Sequence, residues 1–545
     1  MRIALVSCCF EQGNLSYPLG ALCIQSAIAA KPELEDHPVK HFSYICDQDD
    51  PEKAAAMVSQ WKPDAVGLSV YLWNRSWLDC FAKALKKASE AVIFAGGPDV
   101  TADYLCFDLD LFDFLCIGEG EEVNVRALIA LSKGEKPSGA GIISKDKPQF
   151  SYSFPAELGS VPSVLLSGVA DEFLKKETTV LWEMTRGCPF GCDFCFESKG
   201  QRSVRHFDFE RLEKELDVLI EYKAKDIFVL DPTFNTDREL TKKILGLLIR
   251  KAPGWMHFSF EVRAELLDEN LVQLFSRLFC SLQIGLQSID SKVLGSIHRS
   301  FNEDVFLEKI GYLNRYGIVY GLDLIIGLPY DSFQQFSKSL DFAISCRPSN
   351  IDIFRLAVLP GTRLHDNAAS FGIEYDTESP YLIKSSPTFP SRDLKLAERL
   401  KSACDLLYTK GEACMWFHSL CQACSMTPSE VLEHFWVFCP DCGKMEYEGD
   451  ELYALQDGFV KSMLSNSKQL LPALLSYIEF HQALAFLYDN DEQPVASLWF
   501  DPNTLRLLDD MDINDFCREH QPDRKPQNYL LYLDGNGDLM FEAVR

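Results

Sequence analysis

The run Arg186-Gly187-Cys188-Pro189-Phe190-Gly191-Cys192-Asp193-Phe194-Cys195 puts three cysteines in one loop containing Gly and Pro, at the spacing C-x3-C-x2-C. Three thiolates in so short a loop can hold three irons of a [4Fe–4S] cluster, whereas clusters meant only for electron transfer normally take four protein cysteines. The fourth iron is then open to a substrate. An apolar run at 179–185 precedes the loop. The cysteines therefore stand at the carboxyl end of a predicted strand, where barrel enzymes gather their catalytic groups.

Downstream, apolar runs recur at 226–231, 257–262, 281–287, 319–326 and 351–358, each followed by a stretch of helical periodicity. With the run at 179–185 they predict six βα units, a partial (β/α)6 barrel over 178–385, because a closed barrel needs eight. Upstream, runs at 2–6, 65–70, 92–95 and 114–117 alternate with helical stretches at 18–30, 75–89 and 120–133. That alternation predicts an α/β chain opening with a doubly wound, Rossmann-like parallel sheet over 1–145. Pro148, Pro155 and Pro162 mark 146–177 as a linker. From 386 to 545 the pattern reads as a mainly helical C-terminal domain, with an acidic tail around Asp489, Asp491 and Glu492.

The 545 residues are 47% hydrophobic and 24% charged, which suits several globular domains and excludes a disordered or small stapled chain. A net charge of −27 repels phosphate backbones and anionic lipid, so nucleic acid is not the expected partner. The 19 cysteines, with no signal-like segment at the start, imply a reducing, cytoplasmic setting. No run of about 18 apolar residues is evident, so no membrane span is expected.

The cysteine loop closely resembles that of the radical S-adenosylmethionine (SAM) enzymes. In that family the open iron chelates SAM, and one electron from the cluster cleaves it to a 5′-deoxyadenosyl radical. The resemblance implies that Cys188, Cys192 and Cys195 are the cluster ligands and that Phe194 covers the cluster and adenine side. It implies SAM contacts from Asp231, Thr233 and Asn235 at the second strand's end, although the common Gly-Gly-Glu form is absent there. Glu261 and Arg263 resemble the ribose and carboxylate site, and Gln283 and Gln287 the strand that flanks the adenosyl group. Read from the residues alone, Glu261 and Arg263 share one face of a strand, where an ordinary surface ion pair would look the same.

Small residues close the predicted strands of the first sheet, in Gly67-Leu68-Ser69-Val70-Tyr71, Ala95-Gly96-Gly97-Pro98 and Ile117-Gly118-Glu119-Gly120. They let a flat ligand approach the backbone at the switch-point crevice. Placed before such a barrel, they resemble the cobalamin-binding domain of the cobalamin-dependent subclass. Ser69, Tyr71, Gly96, Gly97, Gly118, Glu119 and Gly120 are the implied cofactor-binding residues. Many cobalamin proteins carry Asp-x-His-x-x-Gly after the first strand, but residues 7–14 contain no histidine. The expectation is cobalamin with no histidine from the protein on cobalt.

Cys421-Gln422-Ala423-Cys424 and Cys439-Pro440-Asp441-Cys442 form two C-x2-C pairs, a spacing that suits zinc or a second Fe–S cluster. Alternatively, Cys421 and Cys424 are core residues one helical turn apart. Taken together, the resemblance implies a cobalamin-dependent radical SAM methyltransferase acting at an unactivated carbon or phosphorus. Radical ring formation, rearrangement or oxidation with the same cofactors, and a non-catalytic cluster-binding sensor, are the alternatives. The implied partners are a small-molecule or peptide substrate and a one-electron reductant such as flavodoxin or ferredoxin.

Overall fold

Ile3–Cys9 is an apolar run that is buried almost throughout, as a central strand of a parallel sheet must be. In the computed structural model, which describes residues 1–10, 17–152, 157–175, 179–197, 203–443, 447–490, 492–535 and 537–544, this run is β1. It is followed by α1 (Leu19–Ala29), β2 (Val39–Ile45), α2 (Pro51–Gln60), β3 (Ala65–Ser69) and α3 (Arg75–Ala88). Next come β4 (Val92–Gly96), α4 (Pro98–Asp103), β5 (Phe114–Cys116), α5 (Gly120–Ser132) and β6 (Ile142–Ile143).

The strand order is β2-β1-β3-β4-β5-β6, parallel except for β6. The connections reverse direction between β1 and β3, which puts the ligand crevice outside the carboxyl ends of these strands. One core, around Val6, Leu68, Phe81 and Ile93, and a second, around Leu5, Phe94, Phe114 and Leu128, cover the sheet. The sequence reading passed over β2, an edge strand that exposes Lys40 and half-buries most of its other residues and so lacks an apolar run.

Within the expected linker, 153–156 and 176–177 lie outside the described residues. The rest forms a short turn of helix, α6 (Asp171–Leu174), and is tied to α1 where the Ser26 hydroxyl donates to the Ser163 carbonyl at 3.1 Å. Residue 178, where the barrel is expected to open, lies outside the described residues, and the first barrel strand, expected over 179–185, divides in two. β7 (Val180–Trp182) joins the parallel sheet, and β8 (Thr185–Arg186) leaves it to pair antiparallel with β9 (Arg205–His206).

After α7 (Phe209–Glu221), β10 (Asp226–Val229) inserts between β7 and β11 (His257–Val262), with α8 (Arg238–Lys251) between them in the chain. α9 (Glu269–Phe275) then leads to β12 (Cys280–Gln287), parallel to β11. Glu215 of α7 accepts from the Trp182 indole at 2.8 Å and from Arg211 at 2.8 Å, so this buried carboxylate is paired and hydrogen-bonded. α10 (Ser291–Ser296) and α11 (Glu303–Arg315) follow.

The chain forms two compact units: Met1–Ile284 with Gly295–Ile318 and Leu356–Pro387, and Gly285–Leu294 with Val319–Arg355 and Thr388–Arg545. The second unit holds the parallel pair β13 (Val319–Ile326) and β14 (Asn350–Arg355), joined by α12 (Phe333–Ser345). It also holds the C-terminal helices. The C-terminal region is mainly helical, as expected, and adds a three-stranded antiparallel sheet of Val495–Leu498, Gln527–Leu533 and Leu539–Val544. Val495–Leu498 alternates exposed and buried over only four residues, and the other two strands are mostly half-buried or exposed. The Asp534-Gly535 pair at the turn between the last two was the available hairpin signal.

Leu470–Tyr488 is long and apolar enough to cross a membrane by length and composition, contrary to the reading that no such segment exists. In this unit it packs as a core helix: Ser476 accepts from the Trp499 N–H at 2.8 Å, and the Tyr477 hydroxyl donates to Asp509 at 2.7 Å.

One further tie belongs to the first unit. The Arg75 guanidinium bonds Asp99 at 3.1 Å, Asp103 at 2.7 Å and the Tyr381 hydroxyl oxygen at 2.6 Å. The sheet's glycines also have internal work. Gly97 has φ +123°, and a Cβ there would stand 2.3 Å from the Val70 carbonyl oxygen. Gly97→Ala should therefore lower stability by about 1–3 kcal/mol. Gly254→Ala, with open space around its Cβ, should stay near neutral in the same denaturation measurement.

Candidate active site

The carboxyl ends of β1, β3, β4 and β5 open into a cavity of about 750 Å3, a size within the range of small-molecule and cofactor pockets. Ser69, Tyr71, Gly96, Gly97, Gly118, Glu119 and Gly120 all line it, so every expected residue of the first sheet reaches this one space. Asn74 shapes its floor. Its side-chain amide donates to the carbonyls of Cys8 at 2.9 Å and Ser69 at 3.1 Å, and its Oδ1 accepts from the Tyr71 N–H at 2.8 Å. The Tyr71 ring, so held, stacks on Trp73 with centroids 4.5 Å apart.

The glycines serve the protein first. The Cβ of a residue at 67 would meet the Phe94 ring at 2.5 Å, as that at 97 would meet Val70. Their small size answers internal packing before it makes room for a ligand. Of the histidine-free stretch 7–14, residues 11–14 lie outside the described residues. The spatially nearest imidazole, His41, bonds the Ser7 hydroxyl at 3.0 Å.

The far side of the cavity belongs to the barrel half of the same unit: Leu181, Glu183, Gly187, Leu230 and Pro232. Asp231, expected to meet SAM, is 1% exposed, and its Oδ1 accepts the N–H groups of Met184 and Thr185, each at 2.9 Å. It is a backbone clamp, and it turns the chain out of β7 toward the cysteine loop. Asn235, 2% exposed, exchanges two bonds with the Arg263 backbone, at 2.9 and 3.0 Å. Both residues hold the strand ends in place rather than offering free groups. Glu261 is exposed and sits opposite Gln283 in the β11–β12 register. Gln287, in the other unit, ends β12 at φ +67° with its Oε1 unpartnered.

Arg263 reaches the cysteine loop directly. Its Nη2 is 3.3 Å from Cys192 Sγ, and its guanidinium lies 3.6 Å over the Phe190 ring centroid. Thr233 Oγ1 is 4.0 Å from Cys188 Sγ. Phe194 stands half-buried between the last two cysteines. Burial pushes the Cys195 thiol up to about 12, with the charges of Glu197, Cys192 and Cys188 adding to it, so the three thiols are in electrostatic reach of one another. A loop carrying three thiols, with the Arg263 cation at one of them, has the donor set of an anionic iron–sulfur cluster. At the cavity, Tyr17 is 4% exposed and its hydroxyl has no partner, leaving a buried polar group for a ligand to satisfy.

Sequence reasoning missed the group that joins the two walls. Arg186 bonds Glu119 at 2.8 Å, Glu121 at 2.6 Å and Glu183 at 2.9 Å, and Arg205 also reaches Glu119. Burial opposes ionisation of Glu121, but the Arg186 guanidinium outweighs it and holds the carboxyl below the usual range. The signal was available, since Arg186 opens the cysteine motif and Glu119 and Glu121 flank Gly120.

The four cysteines expected at a C-terminal metal site stand at the ends of two successive helices. Among the described residues no three His, Cys, Asp or Glu side chains stand together as around a bound metal ion, either at these cysteines or at the cysteine loop. Cys421 and Cys424 lie one turn apart on the helix Phe417–Cys424, while Cys439 and Cys442 follow the next helix, Pro428–Phe438. Burial and the charge of Cys424 push Cys421 up, and burial and the charge of Cys439 push Cys442 up to about 12. Cys421, Cys439 and Cys442 are buried as small apolar residues, the alternative open at the outset for Cys421.

Burial raises Asp231 to about 7 against the two N–H groups that favour its charge. A carboxyl raised on folding binds its proton more tightly in the native state, so its contribution to stability is present below the unfolded value and lost as pH rises through the folded one. Stability should therefore fall between about pH 4 and 7 from this group, and Asp231→Asn should flatten that slope in urea titrations.

Residues 182–343 match the model of the radical SAM superfamily. The chain is 26% identical over 335 residues to the cobalamin-dependent radical SAM methyltransferase TokK of Streptomyces tokunonensis, covering 56% of this chain and 48% of that protein. It thus spans about half the length of that curated relative. In structure it is similar to the cobalamin-dependent SAM radical enzyme OxsB with aqua-cobalamin bound, at TM-score 0.58 and 14% identity, over 95% of this chain and 84% of that one. It is also similar to the radical SAM methyltransferase TsrM of Kitasatospora setae with cobalamin and a [4Fe–4S] cluster bound, at TM-score 0.58 and 14% identity, over 70% and 78% of the two chains. These likenesses establish the α/β fold, a doubly wound sheet ahead of a partial barrel. Within that fold, residues 182–343 are the part of the chain that matches the radical SAM superfamily.

Proposed function

We propose that this chain is a cobalamin-dependent radical SAM methyltransferase. The observation that carries the reading is the single cavity shared by the carboxyl edge of the first sheet and the root of the three-cysteine loop. A corrin in that cavity would stand next to a cluster on the loop, as transfer of a methyl group to a substrate radical demands. TokK and TsrM, which this chain resembles, are named as methyltransferases.

In this reading residues 1–145 hold cobalamin and 178–385 carry the radical chemistry on a small-molecule substrate, with electrons from a one-electron donor. When bound, the cluster supplies an electron to SAM and the cobalamin supplies the methyl group. Cys188, Cys192 and Cys195 would hold the cluster, and Arg263 places a positive charge beside its Cys192 ligand. Arg186 fixes the spacing of the two walls through Glu119, Glu121 and Glu183. Asp231 and Asn235 keep the ends of β10 and β11 rigid, which preorganises the site.

The decisive experiment supplies reduced, cluster-loaded protein with cobalamin and methyl-labelled SAM in a metabolite extract. Release of 5′-deoxyadenosine with label in a product heavier by one methylene is the expected result. Alanine at Cys188, Cys192 or Cys195 should abolish iron–sulfur absorption and SAM cleavage while cobalamin still binds, because the sheet edge is untouched. SAM cleavage by the triple variant, or no cobalamin uptake by the intact protein, would sink the proposal.

A further inference from the structure

β1 and β2 run parallel with Cys8 opposite Tyr44 and Cys9 opposite Ile45. Cys46 follows β2, and its N–H donates to the Cys9 carbonyl at 2.8 Å, so the ladder continues one residue past the strand. Cys46 is two positions beyond Tyr44 and therefore on the sheet face that carries Cys8, as its diagonal neighbour. Their sulfurs are 2.7 Å apart, well inside the spacing of unbonded sulfur atoms and some tenths of an ångström beyond the about 2.05 Å of a disulfide.

The two thiols differ in surroundings. Cys46 is partly exposed and Cys8 is buried, and only Cys8 lines the cavity. The hydrogen bond between them favours the charge on Cys46, against burial, and holds its thiol below the ordinary value; the same bond and burial push Cys8 up. Cys46 is thus the nucleophile that a soluble reagent can reach, and Cys8 the thiol positioned behind it.

The geometry points to a redox modification site: Cys8 and Cys46 close into a reversible intrachain disulfide, in the cavity wall, with a low-molecular-weight disulfide as oxidant. The Cys46 thiolate attacks one sulfur of the oxidant and expels its first thiol. Cys8 then attacks the Cys46 sulfur of the mixed disulfide and expels the second. The two protein thiols lose two electrons and two protons, and the oxidant leaves as two thiols. The site stands on the packing of β1 against β2 and holds whatever the cavity binds.

The test uses cluster-loaded, full-length protein under argon with oxidised glutathione, followed by thiol blocking, digestion and mass mapping. The expected product joins the Cys8 and Cys46 peptides, lighter by two hydrogens, and reverts with a dithiol reductant. Cys8→Ser should stop at a glutathione adduct on Cys46, and Cys46→Ser should leave Cys8 as a free thiol. If a serine variant does not fold, the map of the unaltered protein decides alone. Recovery of both cysteines as blocked free thiols after treatment, or a glutathione adduct on Cys46 that Cys8 does not displace, would overturn the assignment.

Discussion

Arg186 stands where the chain enters the cysteine loop, and its guanidinium is shared by carboxylates from two different parts of the first unit, Glu119 and Glu121 after β5 and Glu183 after β7. A guanidinium offers several donors in a fixed planar fork, so its partners are constrained in direction as well as distance. None of the three carboxylates is more than about a quarter exposed, and an unpaired charge at such a place is strongly destabilising. The turn that carries Gly118 and Gly120 and the loop that carries the cysteines are consequently set relative to one another by electrostatics. Lysine at 186 could not satisfy this geometry, because an ammonium lacks the fork.

The strand ends beyond this charge cluster are fixed by hydrogen bonds to the backbone. Asp231 holds two backbone N–H groups and Asn235 ties the end of β10 to that of β11. Polar residues at the carboxyl ends of barrel strands are commonly expected to touch the substrate. Here two of them are turned inward, and the reach toward the cysteines comes from Arg263 and Thr233. Rigid backbone around a reacting centre removes reorganisation that would otherwise oppose the chemistry.

Much of this was legible in the residues. The C-x3-C-x2-C loop and the strand-end glycines located both walls of the cavity, because each is a local pattern with a local cause. What escaped were properties set by tertiary partners. β2 half-buries most of its residues, and Val495–Leu498 alternates exposed and buried over only four residues, too short to show as periodicity. The inward turn of Asp231 depends on where the chain at Met184 and Thr185 runs, and nothing near residue 231 in sequence reports that. The C-terminal cysteine pairs have a metal-like spacing in sequence, and the fold sets each pair at the end of its own helix. The same short motif at Asp534-Gly535 marked a hairpin that a helical expectation obscured.

The knot of Arg75, Asp99, Asp103 and Tyr381 spans 306 residues of sequence between Arg75 and Tyr381. Domains emerging from a ribosome generally fold in order from the amino terminus. The first sheet can gather its strands early, since β1 to β5 lie within about the first 116 residues. Arg75, however, carries a charge between two carboxylates, with the phenol that completes its shell arriving only after the barrel has been made. A nascent sheet therefore waits with an incompletely dressed cation at its edge, and the last barrel segment acts as its fastener. Fragments ending before residue 381 would carry the sheet without that fastening, whatever their own cores contribute.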